Sequence, residues 1–204
     1  MAEGLNTFQT KNYPCTFLAT LAYMSDIFGL LNELNMSFQG HGSTIFNMLD
    51  KITAFKLKLD IWRGRVGRGE LDMFDCLSEF SLTHADVDIR HVICTHLSNL
   101  RRRFEEYFPP AEDKREEYNW VRDPFNVDIA GVILNGPNQD KLIELTSDGA
   151  LKGYFQRNGI TKFLIHAHNE FPELSDIAIK LLMPFTIYVR SRFFFSRILE
   201  VKIS

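Results

Sequence analysis

Ile45-Phe46-Asn47-Met48-Leu49-Asp50-Lys51-Ile52-Thr53-Ala54-Phe55-Lys56-Leu57-Lys58-Leu59-Asp60-Ile61-Trp62 is the stretch whose reading decides the fold. Ile45, Met48, Ile52, Phe55, Leu59 and Trp62 recur in alternating steps of three and four, which lines them along one face of an α-helix. Asp50, Lys51, Lys56 and Lys58 fall on the other faces, so the segment predicts an amphipathic helix with a covered side and a wet side. Just upstream, Gln39-Gly40-His41-Gly42-Ser43 breaks the pattern, and the Ser43 hydroxyl is the expected N-cap. Downstream, Arg63-Gly64-Arg65-Val66-Gly67-Arg68-Gly69 carries three glycines, each costing about 1 kcal/mol inside a helix. The helix is expected to fray or end there.

Working outward, Phe17, Leu21, Met24, Phe28 and Leu31 give a preceding helix with the same alternation. A third stripe, Ile93, Leu97, Leu100, Phe104 and Tyr107, follows a polar connection and stops before Pro109-Pro110. Arg101, Arg102 and Arg103 sit near its end, where cations suit the helix dipole. Residues 109–138 lack a sustained period and read as an irregular connection. Beyond it, Leu142, Ile143 and Leu145 predict a short helix ended by Asp148-Gly149. Thr161 is the expected cap of another through Asn169. Pro172 to Met183 forms a third on Leu174, Ile177, Ala178 and Leu181, and a tail starts near Ile187. Val127–Leu134 and Thr186–Val189 are the only strand candidates, too few for a sheet. The expected class is all-α or nearly so, a helical bundle in three parts: a helical region over 1–108, the connection over 109–138, and a C-terminal region over 139–204.

The chain has 204 residues, 45% hydrophobic and 24% charged, which excludes disorder as a description of the whole. A formal charge of -3 and a pI near 6.1 supply no overall positive field toward nucleic acid or anionic membrane. Cys15, Cys76 and Cys94 are odd in number and irregular in spacing, as free thiols of a reducing compartment are. The uncharged apolar stretch near the N-terminus, Asn12 to Ser25, is shorter than the roughly 18 residues of a membrane span, and no membrane partner is expected.

Candidate chemistry is sparse. His91, Cys94 and His96 are a zinc-like set, but a second close pair is missing and position 96 points away from the other two on a helix. His166 and His168 fall on different helix faces. Gly40-x-Gly42-Ser43-Thr44 lacks the lysine and strand of a phosphate loop. No metal or other cofactor is expected. Arg63, Arg65 and Arg68, with Arg101, Arg102 and Arg103, are the candidate nucleic-acid contacts, since guanidinium forks pair with phosphate oxygens.

Several words in order resemble the hAT transposase superfamily and its domesticated BED-finger and SCAN-domain relatives. Leu31-Asn32-Glu33-Leu34-Asn35, Gln39-Gly40 and Phe55-Lys56-Leu57-Lys58-Leu59-x-x-Trp62 look like that family's helical region. Trp120-Val121-Arg122-Asp123-Pro124-Phe125 is similar to its Trp-Val-Arg-Asn-Pro-Phe, and Leu145-x-x-Asp148-Gly149-x-Leu151-Lys152 to the element that follows. Glu170-Phe171-Pro172-Glu173-Leu174-Ser175-x-x-Ala178-x-x-Leu181-Leu182-Met183-Pro184-Phe185 resembles its C-terminal dimerisation region.

That resemblance implies an RNase H-like enzyme whose Asp-Asp-Glu triad holds two divalent metals, hard cations that want oxygen ligands. The family's two aspartates precede the part this chain resembles, and the glutamate position falls on Arg192, or on Ser191 with one deletion. The implied protein is a non-catalytic remnant in the nucleus, or otherwise the cytoplasm. It would associate as a homodimer or with a related transposase-like protein. Leu174, Ile177, Leu181, Phe185, Phe193, Phe194 and Phe195 are the expected dimerisation residues. The alternative is a nucleic-acid-binding remnant that uses the arginine clusters.

Overall fold

The computed structural model describes residues 14–39, 44–109 and 118–190, with side chains followed to Leu182. Among the described residues every regular element is helical and none is a strand. Four helices make the first half: α1 (Cys15–Phe38), α2 (Ile45–Gly67), α3 (Asp75–Thr83) and α4 (Arg90–Tyr107). After the short α5 (Asn119–Arg122) come two 3-10 turns, Pro124–Asn126 and Ile129–Gly131. Then follow α6 (Gly136–Ser147), α7 (Gly149–Ala167) and α8 (Pro172–Arg190).

The first core lies between α1, α2, α3 and α4. The predicted stripe of α2 delivers Met48, Ile52, Phe55 and Leu59 to it, with Ile45 and Trp62 at its margin, and α4 supplies Ile93, Leu97, Leu100 and Phe104. These two helices run antiparallel, since Lys56 meets Glu105, Asp60 meets Arg101 and Arg63 meets Ser98. Rings fill the middle in a chain, Phe55 tilted on Phe104 at 5.2 Å, then edge contacts of Phe55 on Trp62 at 5.8 Å, Trp62 on Phe74 at 5.9 Å and Phe74 on Tyr23 at 5.1 Å.

A second core gathers Trp120, Val121, Val132, Leu142, Leu145, Leu151, Phe163, Phe171, Leu174 and Ala178 from α5 to α8. The start of α2 serves both cores: Ile45 packs against each, and Phe46 is buried in the second. Arg122 reaches back to Asp50 at 2.9 Å.

Several sequence expectations need correction. The buried line of α1 is Ala19, Tyr23, Ile27, Leu31, Leu34 and Phe38, whereas Phe17, Leu21 and Phe28 stay 45%, 49% and 43% exposed. The helix is rotated by roughly a quarter turn from the predicted stripe, because Tyr23 and Ile27 find partners remote in sequence and fill space the stripe could not. Ser43 lies outside the described residues, and the cap of α2 is Thr44, whose hydroxyl accepts from the Asn47 amide at 3.3 Å.

The glycine run does not end α2 at Arg63. Val66 is fully buried, Arg65 is tied to Glu70 and Asp72, and the helix runs to Gly67. The stop comes at Gly69, whose φ of 85° suits a residue without a Cβ.

α3 was not legible as a helix. It is held by Asp26 of α1, whose two carboxylate oxygens accept from the Cys76 and Leu77 amides, each at 3.0 Å, and it buries Leu77.

The Val127–Leu134 strand candidate is replaced by a 3-10 turn and an irregular run that buries Val132. α7 starts at Gly149 rather than Thr161, because the Asp148 carboxylate accepts from the Ala150 and Leu151 amides at 2.7 and 3.0 Å. Gly159, at φ 69°, kinks it near the expected start. α8 passes through Pro184 and takes in the Thr186–Val189 strand candidate. Proline removes one backbone donor and leaves the neighbouring turns their own bonds, so pattern alone cannot tell a stop from a passage.

Candidate functional site

The expected dimerisation residues divide. Leu174 is 2% exposed and belongs to the second core, where α8 packs against α6 and α7. Ile177 and Leu181 are half-buried against the same core. Phe185 lies on α8, but its side chain is outside the described residues, as are Phe193, Phe194 and Phe195 entirely. The inner side of α8 is therefore occupied within the chain.

The arginine candidates lie on α2 and α4 beside many acids. Arg65 pairs with Glu70 at 2.9 Å and Asp72 at 2.7 Å, and Arg68 pairs with Glu70 at 2.8 Å. Hydrogen bonds from Arg68 and Arg65 hold the Glu70 carboxyl below the usual carboxylate range. Arg63 donates to Ser98 Oγ at 3.4 Å. Arg101 bridges Asp60 and Glu105, Arg102 pairs with Glu106, and Arg103 approaches Glu106 at 3.6 Å. A phosphate would have to displace a carboxylate at five of these six arginines. Along the antiparallel seam Arg63 meets Ser98 and Arg101 meets Asp60, so the near ends of the two runs approach one another while Arg68 and Arg103 lie toward opposite ends of the pair.

His91, Cys94 and His96 do not converge. His91 is exposed, Cys94 Sγ lies 3.6 Å from the Arg63 carbonyl, and His96 turns inward. Among the described residues no group of three His, Cys, Asp or Glu is placed to hold a metal ion. His166 stacks on Tyr154 at 4.3 Å, and His168 Nδ1 lies 3.6 Å from Asp176. Within the Gly40–Thr44 stretch only Thr44 is described, and it is the α2 cap.

Three features were missed by sequence reasoning. Tyr23, fully buried, shares a 2.7 Å hydrogen bond between its hydroxyl and His96 Nδ1. Burial pushes the Tyr23 hydroxyl up and the His96 imidazole down in pKa, so both are held neutral. Second, Asn138 Oδ1 and Ser175 Oγ are buried in the second core with no hydrogen-bond partner among the described residues. Third, α1 keeps Leu18, Leu21 and Phe28 in solvent. By length and hydropathy alone α1 could cross a membrane, yet its Tyr23 and Asp26 are committed to His96 and to the amides of α3. The alternation of Tyr23 and Ile27 with Leu31 was the available signal for the buried side. Nothing local pointed to His96.

Comparison with known proteins places part of this chain. Residues 5–67 match the family described as the FAM200/GTF2IRD2 helical domain, which takes in α1 and α2. The chain is 27% identical over 169 residues to General transcription factor II-I repeat domain-containing protein 2 of Bos taurus. That match covers 83% of this chain and 17% of the relative, so the chain spans less than a fifth of the relative's length. No solved structure matches it.

Proposed function

We propose that this chain is a non-catalytic, nuclear association module, derived from an hAT-type transposase, that joins a second copy of itself or a related transposase-like protein. The carrying observation is the mismatch between supply and demand at the C-terminus. The second core is already closed by Phe171, Leu174 and Ala178, yet Phe193, Phe194, Phe195, Ile198, Leu199 and Val201 still follow in sequence. An apolar run of that size calls for cover, and a partner surface is the usual cover.

A non-enzymatic role is supported by Ser191 or Arg192 at the family's glutamate position, since neither a hydroxyl nor a guanidinium replaces a carboxylate on a hard cation. The relative's printed name, a transcription factor repeat-domain protein, supports the nuclear setting. Nucleic-acid binding is the lesser reading, because carboxylates already occupy Arg65, Arg68, Arg101, Arg102 and Arg103. Sedimentation equilibrium of the intact chain tests the proposal. A concentration-dependent dimer at tens of micromolar is expected, and a well-folded monomer there overturns it. Duplex titration at two salt concentrations tests the lesser reading, which needs affinity that falls by about 0.9 log unit per log unit of salt for each phosphate contacted.

A further inference from the structure

Lysine and arginine are distributed unevenly along this chain. Residues 14–39 and 69–89, which hold α1 and α3, contain Asp26, Glu33, Glu70, Asp72, Asp75, Glu79, Asp86 and Asp88 and not one lysine or arginine. Glu70 and Asp72 are neutralised by Arg65 and Arg68, Asp88 by Arg90, and Asp26 by the amides of α3. Glu33, Asp75, Glu79 and Asp86 are exposed and have no cationic partner among the described residues. On the same pair of helices Leu18, Leu21 and Phe28 stand 38%, 49% and 43% exposed on α1, and Leu82 stands 84% exposed on α3. This layer is apolar and acidic together.

The end of the chain has the opposite charge and the same greasiness. Ser191–Ser204 carries Phe193, Phe194, Phe195, Ile198, Leu199 and Val201, with Arg192, Arg197 and Lys202 against the single acid Glu200. We propose that residues 191–204 of one copy dock on the α1 surface around Leu21 and Phe28 of a second copy, with their cations facing the unpaired acids of the α1–α3 layer. This rests on the self-association proposed above and specifies its surface.

Area favours this arrangement over two α1 helices pairing face to face. Leu18, Leu21 and Phe28 together offer on the order of 200–300 Å² of apolar side chain, well short of the roughly 800 Å² per partner of a stable interface. Two α1 surfaces would also bring acids against acids. A reciprocal exchange uses each α1 surface and each tail once, so a symmetric pair contains the contact twice. It adds three phenylalanines from each tail as anchors. Opposite charges across the contact would speed encounter and set its register.

The test uses the full chain. Leu21→Lys/Phe28→Lys places cations on an exposed surface that leaves the first core untouched, and Phe194→Lys does the same in the tail. Each is expected to weaken dimerisation at least tenfold by sedimentation equilibrium without moving the thermal midpoint of the first core. A photo-cross-linking amino acid at position 21, in a mixture of isotopically heavy and light chains, is expected to yield heavy-light products with the peptide 191–204. Dimers unaffected by Leu21→Lys/Phe28→Lys overturn this inference and leave self-association standing. An intact chain that is monomeric overturns both. Cross-links confined to heavy-heavy and light-light pairs place the tail on its own chain and overturn the exchange.

Discussion

In the first core, Tyr23 reaches His96 across 73 residues, and Asp26 holds the start of a helix 50 residues on. In the second core the corresponding work is local. Asn135 caps Asn138, Asp148 caps Ala150 and Leu151, and Asp123 and Asp128 each close a turn on an amide two residues away. The first core satisfies its buried Tyr23 and His96, while the second keeps Asn138 Oδ1 and Ser175 Oγ unpaired among the described residues. Long-range polar ties make the placement of α1 and α3 depend on the whole first core. Local caps let each helix of the second core start where its own sequence says.

The largest expected effect comes from the ring chain of the first core. Phe104→Ala removes a fully buried ring that meets Phe55 and should cost about 3–5 kcal/mol in denaturant unfolding. If the two cores are held together only through the start of α2, hydrogen exchange should show protection falling much more at Ile93 than at Leu142. Equal loss at both would make them one cooperative unit.

Tyr23→Phe comes next, at about 1–3 kcal/mol, because it leaves His96 Nδ1 buried without its hydrogen-bond partner. The same pair predicts a pH dependence. Burial depresses the folded-state pKa of His96 below its unfolded value, so the unfolded chain binds the extra proton first as pH falls through about 6.5. Stability conferred by neutral His96 is full above that unfolded value and is lost as pH drops toward the folded one. Melting of the wild-type chain at pH 7.5 and 5.5 should show this loss, and His96→Gln should flatten the slope. An unchanged slope would remove His96 as its source, and Glu70 and Glu105 could not replace it, because hydrogen bonds from arginine hold them below the usual carboxylate range and their contribution is lost only at pH below this window.

Asp26→Ala against Asp148→Ala sharpens the contrast between remote and local caps. Each removes a carboxylate that accepts two amides, at about 1–2 kcal/mol. Only Asp26→Ala should expose a separate helix, read as raised exchange at the Cys76 and Leu77 amides with α1 intact. The smallest effect, and the one of opposite sign, is Ser175→Ala. Removing a buried hydroxyl that has no partner among the described residues should leave stability within about 0.5 kcal/mol of wild type or raise it. A loss above 1 kcal/mol would mean that Ser175 has a partner.

α2 and α4 were legible because their burial follows a single stripe, and the period of that stripe is a property of neighbouring residues alone. Asp148-Gly149 was legible as a boundary for the same reason, although its second role as the cap of α7 was not. α1 offered two apolar stripes, one through Phe17, Leu21 and Phe28 and one through Tyr23, Ile27 and Leu34. Spacing could not choose between them, and the hydroxyl of Tyr23 facing His96 did. α3 has only nine residues and one fully buried side chain, too little period to recognise, and its start is fixed by a carboxylate on another helix.

The arginine clusters show the same division at the candidate site. Arg63, Arg65, Arg68 and Arg101 to Arg103 read as open cations in sequence, where Glu70, Asp72, Asp60 and Glu105 are merely nearby letters. Glu70 and Asp72 reach Arg65 from no more than seven residues away and Glu105 lies one turn on from Arg101, so only Asp60 is brought to its arginine by folding α2 antiparallel to α4. Sequence by itself determined the all-helical class, the stripes of α2 and α4 and the helix boundary at Asp148-Gly149, because each depends on residues within a turn or two. The covered side of α1, the existence of α3 and the Arg101–Asp60 bridge were decided only in the tertiary structure, because each rests on groups brought together across a long loop of chain.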